Sequence, residues 1–392
     1  MLNPARPRPL ATHWRWLLLC VLLCSLGTSQ AETWLVGPKA PSMSLSEALA
    51  KARDGDTIAV LEGEYHGEVG VIQQRKLTIK GIGKRPLLRA GGRIAEGKAI
   101  LVVRDGDITI ENLEFQSARA PDGNGAGIRF EKGRLLVKNS AFRDNEIGLL
   151  TGNDGVAELE IVDSEFSEAP KVTGSLPHLL YAGRIAKLTI SGSRFHEGFE
   201  GHLIKSRAKL NDIRYNLIYD GAGGSASYEI DLPNGGVAHI IGNVIGQNAN
   251  AQNRTLVAYG AEGSAWPQSA LYMAHNTLLS GGLMTASFLR VFADRLPAAA
   301  PIFVINNVTA GIGLLSPFAG GVFEGNERTL GRWLRSPPML DFALPNDSSL
   351  RGRAIDPRRH GGQDLSPKAE FNFPLGTRAI QPPATWSAGA FQ

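Results

Sequence analysis

Cysteine, aromatic residues and long apolar runs are all scarce in this chain, and each shortage removes a class of protein. Both cysteines, Cys20 and Cys24, fall within the first 24 residues, so neither a disulfide framework nor a cysteine-ligated metal centre is available to the rest. The apolar run Trp16 to Leu26 has eleven residues, too few for the roughly 20 that span a bilayer. Aromatics make up 7% of the chain against 46 glycines, a balance that disfavours a helical globule and favours a turn-rich repeat.

Arg6, Arg8 and Arg15 precede the apolar run, and Ser29-Gln30-Ala31 follows it, which is the order of a secretory signal peptide. Cleavage after Ala31 predicts a secreted or periplasmic protein with no membrane attachment. The 392-residue chain less its first 31 leaves 361, and the formal charge of +4 less those three arginines leaves +1. So nearly neutral a chain predicts no nucleic-acid partner. With no staples, it needs a large core or internal repetition.

Repetition is present. From Lys76 onward a signature recurs: an apolar residue, two spacers, a small or amide residue, one spacer, and usually another apolar residue. It occurs at Ile79/Ile82, Ile110/Leu113/Phe115, Val137/Ser140/Phe142, Ile161/Ser164/Phe166, Ile190/Ser193/Phe195, Ile213/Asn216/Ile218, Ile240/Asn243/Ile245, Met273/Asn276/Leu278, Val304/Asn307 and Phe323/Asn326. Spacing between first residues varies from 19 to 33, which excludes a rigid helical repeat. The constant internal pattern still demands one equivalent position per unit. Short strands stacked about 4.8 Å apart with insertions at the corners satisfy both demands. The expected fold is therefore all-β, a single-stranded right-handed parallel β-helix of about nine to ten coils, with the Ser and Asn column as a hydrogen-bonded ladder.

Ahead of the repeats, Ser44 and Glu47 have capping-box spacing, and Leu45, Ala48, Leu49 and Ala52 make one apolar face. This predicts a helical cap near residues 44–53 over the open end of the solenoid. The expected layout is a signal peptide at 1–31, a strand and capping helix at 32–75, the β-helix at 76–328, and a Pro-rich C-terminal segment packed on it at 329–392.

The helix SLSEALAKARDGDTIAVLEGEY, the ladder, and the endings DFALPNDSSLRGRAID and AGAFQ together resemble the secreted β-helix proteins of the pectate-lyase-like superfamily. That resemblance implies the right-handed fold and a carbohydrate-directed role, on a scaffold hosting lyases, hydrolases, epimerases and binding proteins. Within it, EGHLIKSRA is similar to a segment of the chondroitinase-B and alginate-lyase family. The likeness implies Lys205 as a base and Glu200 as a metal ligand. That family's next coil carries an Arg-His-Gly run, whereas this chain has YEIDLPNGG there, which leaves charge neutralisation to Arg207, a metal, or nothing.

Position within the coil also marks residues 201–236. Arg129, Tyr181, Lys205 and Asp231 lie eight or nine residues before Val137, Ile190, Ile213 and Ile240, so they take one place on their coils. With Leu180, Ile204 and Ile230 pointing inward, period-two alternation turns Tyr181, Lys205, Glu229 and Asp231 outward, and puts His202 inward with Leu203 outward. Eliminative cleavage of a uronate needs a base for the C5 proton, cationic help for the carboxylate and a proton donor to the leaving oxygen. Lys205 is the candidate base, Tyr181 or Tyr228 the donor, and Arg207 the cation. Glu229 and Asp231, with Glu200, are candidate ligands for calcium. His178, His202, Arg129, Tyr259 and Asn234 are candidates for binding an acidic polysaccharide, the expected partner of a monomer. Two alternatives stay open. Glu229 and Asp231, about 6.8 Å apart along a strand, would suit a hydrolase acid and base, and a non-catalytic polysaccharide-binding face needs no chemistry.

Overall fold

The computed structural model describes residue 1 and residues 31–38, 42–172, 176–318 and 320–392; the predicted signal peptide lies almost entirely outside the described residues. Three parallel sheets of twelve, eleven and ten strands run the length of the molecule, in about ten turns of a β-solenoid. One coil shows the path. Lys187–Ser191 lies in the first sheet, Arg194–Phe195 in the second and Ile204–Ser206 in the third, and Leu210–Arg214 then returns to the first. Within the described residues, no helix is long and apolar enough to cross a membrane.

The repeat signature maps onto the first sheet residue for residue. Ile79, Ile110, Val137, Ile161, Ile190, Ile213, Ile240, Met273, Val304 and Phe323 are successive register partners. The sheet also extends two strands before the signature begins, through Thr33–Val36 and Thr57–Leu61. Those strands carry no ladder residue, which is why the signature does not mark them.

At the corner between first and second sheets the chain turns through a left-handed residue: Asp163, Gly192, Tyr215, Gly242, His275 and Asn306 all have φ between +50° and +69°. The turn leaves the next backbone N–H pointing along the solenoid axis, and the rung on the following coil accepts it. Ser193 N–H donates to Asn216 Oδ1 at 2.9 Å, Asn216 N–H to Asn243 Oδ1 at 3.0 Å, and Asn243 N–H to Asn276 Oδ1 at 3.0 Å. Two residues past each rung, Phe115, Phe142, Phe166 and Phe195 stack with centroids 5.1, 4.4 and 4.8 Å apart. Four of the chain's phenylalanines thus line one column of the core.

Ser44 caps the Leu45–Lys51 helix. Its hydroxyl accepts from Glu47 N–H at 3.2 Å, while its own N–H donates to Glu47 Oε2 at 2.8 Å. Leu45, Ala48 and Leu49 are buried against the first coils.

The C-terminal segment crosses the ladder corner. Gly376 N–H donates to Gly192 O, Lys368 N–H to Tyr215 Oη, and Gly389 N–H to Asn306 O. Leu334, Phe342, Leu344 and Phe371 cover Leu217, Val244 and Leu279 of the second sheet, and Leu365 packs on the outer face of the first. These contacts fall on the first and second sheets.

His275 lies under this segment, its Nδ1 3.1 Å from Ser387 O and its Nε2 3.1 Å from Asn306 Nδ2. Burial holds its imidazole at about 4. The unfolded chain therefore takes up a proton near pH 6.5 that the folded chain refuses. The stability His275 contributes is full above pH 6.5 and drains away as pH falls towards 4. His275→Asn, an amide suited to the left-handed backbone, removes that titration. In denaturation series at pH 7 and pH 4 the variant should lose less stability than the parent, by on the order of 2 kcal/mol. Equal losses in both proteins would show that the ring is free to protonate in place.

Candidate functional site

Strands of the third sheet hold the candidate residues in a two-row array. Tyr181 is in Cα register with Lys205, and Lys205 with Asp231, so the predicted column exists. Arg129 belongs to the same column but not to the same cluster, because Leu150 occupies the coil between it and Tyr181. It pairs instead with Glu131 at 3.1 Å.

Strict alternation fails here. Leu179 and Leu180, then Leu203 and Ile204, are adjacent residues that are both buried in the core. The strand bends at this inward pair, so the residues on either side of it share the outer face. His178, His202 and Tyr228 therefore form a second row beside Tyr181, Lys205 and Asp231, with ring centroids 4.8 and 4.9 Å apart. The expectation of an inward His202 and outward Leu203 is reversed.

The same bend corrects Glu229. It occupies the inward place that Leu203 holds one coil earlier, and its side chain is completely buried, with Oε2 3.3 Å from Gln247 Nε2 and Oε1 without a partner. Burial, with the nearby Asp220, pushes its carboxyl well above the usual range. Glu229 and Asp231 thus lie on opposite sides of the strand and cannot flank one glycosidic bond, so the hydrolase pair is not assembled. Tyr259 is corrected as well. It follows Leu232 in an inward column, is fully buried, and donates its hydroxyl to Gly236 O at 2.5 Å.

On the outer face Asp231 is the centre of charge. Its Oδ2 lies 3.6 Å from Lys205 Nζ and 3.4 Å from His202 Nε2, and its Oδ1 is buried without a partner. Burial raises its pKa to about 6 against the opposing pull of Lys205. Burial also pushes His178 down to about 3 and His202 to about 2, helped by Lys205 and, for His202, by His178. Both rings are therefore neutral at pH 7. His178 Nδ1 accepts the His202 backbone N–H at 2.9 Å, which keeps that nitrogen unprotonated. Tyr228 is raised by burial and by the Asp231 carboxylate.

Arg207 links the array to the next corner. Its Nε donates to Tyr181 Oη at 2.9 Å, and Nη1 donates to Asn234 Oδ1. The Tyr181 ring carries both cations over it, with Lys205 Nζ 5.5 Å and Arg207 Cζ 5.9 Å from its centroid. Two further residues, missed in the sequence, complete the site. Glu262 receives Arg207 through Nη1–Oε2 at 2.6 Å and Nη2–Oε1 at 3.0 Å, and Trp266 Nε1 donates to Arg207 O at 2.9 Å while Arg184 stacks on its ring. Both belong to the corner insertion between Tyr259 and Ala270, whose coil has the longest ladder spacing, 33 residues. That spacing was the available signal.

Calcium takes six to eight oxygen ligands, and the predicted ligand set does not converge. Glu229 points inward, and Asp231 faces the Lys205 side chain and the His202 imidazole. Among the described residues no group of three or more His, Cys, Asp or Glu side chains is placed to share a cation. The residues present do not fit the ion.

A right-handed parallel β-helix with a charged and aromatic strip on one sheet is the class of protein these features define. No family model matches the sequence, and no curated protein matches it. Among solved structures the chain is similar to the crystal structure of pectate lyase Pel9A, with a TM-score of 0.61 and 15% identity over 86% of this chain and 96% of that one. The chain thus has the pectate-lyase-like fold.

Proposed function

We propose that this is a secreted or periplasmic carbohydrate-active protein that cleaves a uronate-containing polymer by β-elimination on the third sheet. The observation that carries the reading is the register of Tyr181, Lys205 and Asp231 on three adjacent coils, with Arg207 bonded to Tyr181. A base, a hydroxyl donor and a fixed cation lie within one array, as elimination requires.

In this reading Arg207 binds the uronate carboxylate and stabilises the charge that grows on it. Lys205, after giving its own proton to solvent, takes the C5 proton. The C5–H electrons form the C4–C5 double bond, the C4–O bond breaks, and the leaving oxygen takes its proton from Tyr181. Solvent returns the proton from the Lys205 ammonium to the tyrosinate. Arg207 already donates to the Tyr181 oxygen, which leaves the Tyr181 hydroxyl hydrogen free for the substrate. Asp231 and His202 hold Lys205 in place, and the fold likeness to a pectate lyase supports a carbohydrate substrate.

The test is incubation with a panel of uronate polymers, with and without chelator, while recording absorbance of the unsaturated uronate product. Absorbance that survives chelation supports the reading. Polymer binding without new absorbance would make the strip a binding face, and new reducing ends without absorbance would make the protein a hydrolase.

A further inference from the structure

The insertion carrying Glu262 is firmly tied at its backbone. Glu262 N–H donates to Pro233 O at 2.8 Å, Ala265 N–H to Asn234 O at 3.1 Å, Ser264 N–H to Arg295 O at 3.1 Å, and Trp266 closes on Arg207 O. Gly260 and Gly263, at φ +84° and +87°, supply the left-handed turns that aim residue 262 at the strip. The Glu262 side chain, in contrast, is 46% exposed, while Arg207 and Lys205 beneath it are 18% and 13% exposed. The carboxylate is therefore a cover that can rotate into solvent, and the cations below it cannot move away.

Its geometry is that of a carboxylate ligand. Both oxygens meet the guanidinium fork, and Oε1 is also 3.7 Å from Lys205 Nζ. A planar carboxylate gripped by an arginine fork is the arrangement that best distinguishes this group from other anions. Arg207 holds Glu262 below the usual carboxylate range, so it stays ionised at neutral pH.

We propose that Glu262 is an internal stand-in for the substrate carboxylate, occupying the Arg207 and Lys205 subsite until an acidic sugar displaces it. The proposal rests on the uronate reading and adds its specificity element. A neutral polymer has no group that replaces Glu262 on the fork, whereas a uronate exchanges one carboxylate for another and releases Glu262 to water at no net change of buried charge. Apparent affinity is then reduced by the fraction of molecules in which Glu262 has swung away.

Binding of a galacturonate trimer and of a neutral galactose trimer to the parent, Glu262→Gln and Glu262→Ala, measured by calorimetry at pH 7 and low salt, tests this without recourse to turnover. With an open fraction of about a tenth, both variants should bind the acidic trimer about 10-fold more tightly, with no gain for the neutral one. Weaker acidic binding in both variants would mean that Glu262 orients Arg207, and would overturn the proposal, as would unchanged affinity or a failure of every protein to bind. Tighter acidic binding by variants of a parent that gives no unsaturated product would uphold the subsite while removing the lyase reading. Arg207→Gln in the Glu262→Gln background should abolish the gain, which a general loosening of the loop would not do.

Discussion

Lys205→Ala is expected to eliminate unsaturated product from a uronate polymer, a loss of about 10²- to 10⁴-fold in rate if Lys205 is the general base. Lys205→Arg separates base from charge. It keeps a cation beside Asp231 but holds its proton at any working pH, so it should be nearly as inactive as the alanine variant. Substantial activity in the arginine variant would make position 205 an electrostatic support and move the base elsewhere in the array, to His202 or Tyr228. Lys205 is mostly buried and faces a buried carboxylate, so stability needs its own measurement. Asp231, already raised to about 6, can take up a proton when its partner is removed, and a modest fall in melting temperature is the expected cost. Circular dichroism of both variants should match the parent.

Asn243→Leu should be among the most destabilising single changes outside the Phe stack. Asn243 is fully buried and makes contacts on both neighbouring coils. Its Oδ1 accepts from Asn216 N–H and Asn216 Nδ2 at 3.0 Å, and its Nδ2 donates to Ile213 O at 2.8 Å and Asn276 Oδ1 at 3.0 Å. Leucine approximates the shape and satisfies none of them. Each buried group left unpaired costs about 1–3 kcal/mol, and relaxation recovers part, so a loss of about 3–5 kcal/mol is expected by chemical denaturation. Asn326→Leu, at the half-buried last rung with a coil on one side only, should lose less. Equal losses at both positions would mean that the amide is replaceable by volume and that the ladder carries no cooperative stability.

The ladder was legible because it is a local pattern tied to a stacked position. An apolar residue three places before a small polar one recurs with the coil, whatever the insertions do in between. The same logic put Tyr181, Lys205 and Asp231 in one column, since counting back from the ladder measures position along the coil. Tyr259 shows the limit of counting: it follows the column by one residue, and that one residue places it inside. Glu262 and Trp266 escaped because they reach Arg207 across 55 and 59 residues of sequence.

By itself, then, the sequence determined the solenoid, its helical cap, the phase of its corners and the coil position of the candidate base. These follow from backbone registers that repeat in parallel stacks, and a register is encoded by spacing. Only the tertiary structure decided that His202 faces out and Glu229 in, and that Glu262 covers the Arg207 fork. The first depends on where the strand bends to bury two adjacent residues, and the second on a corner insertion folding back over the coils that precede it. Both are settled by packing between distant segments, for which neither side-chain alternation nor ladder spacing carries information.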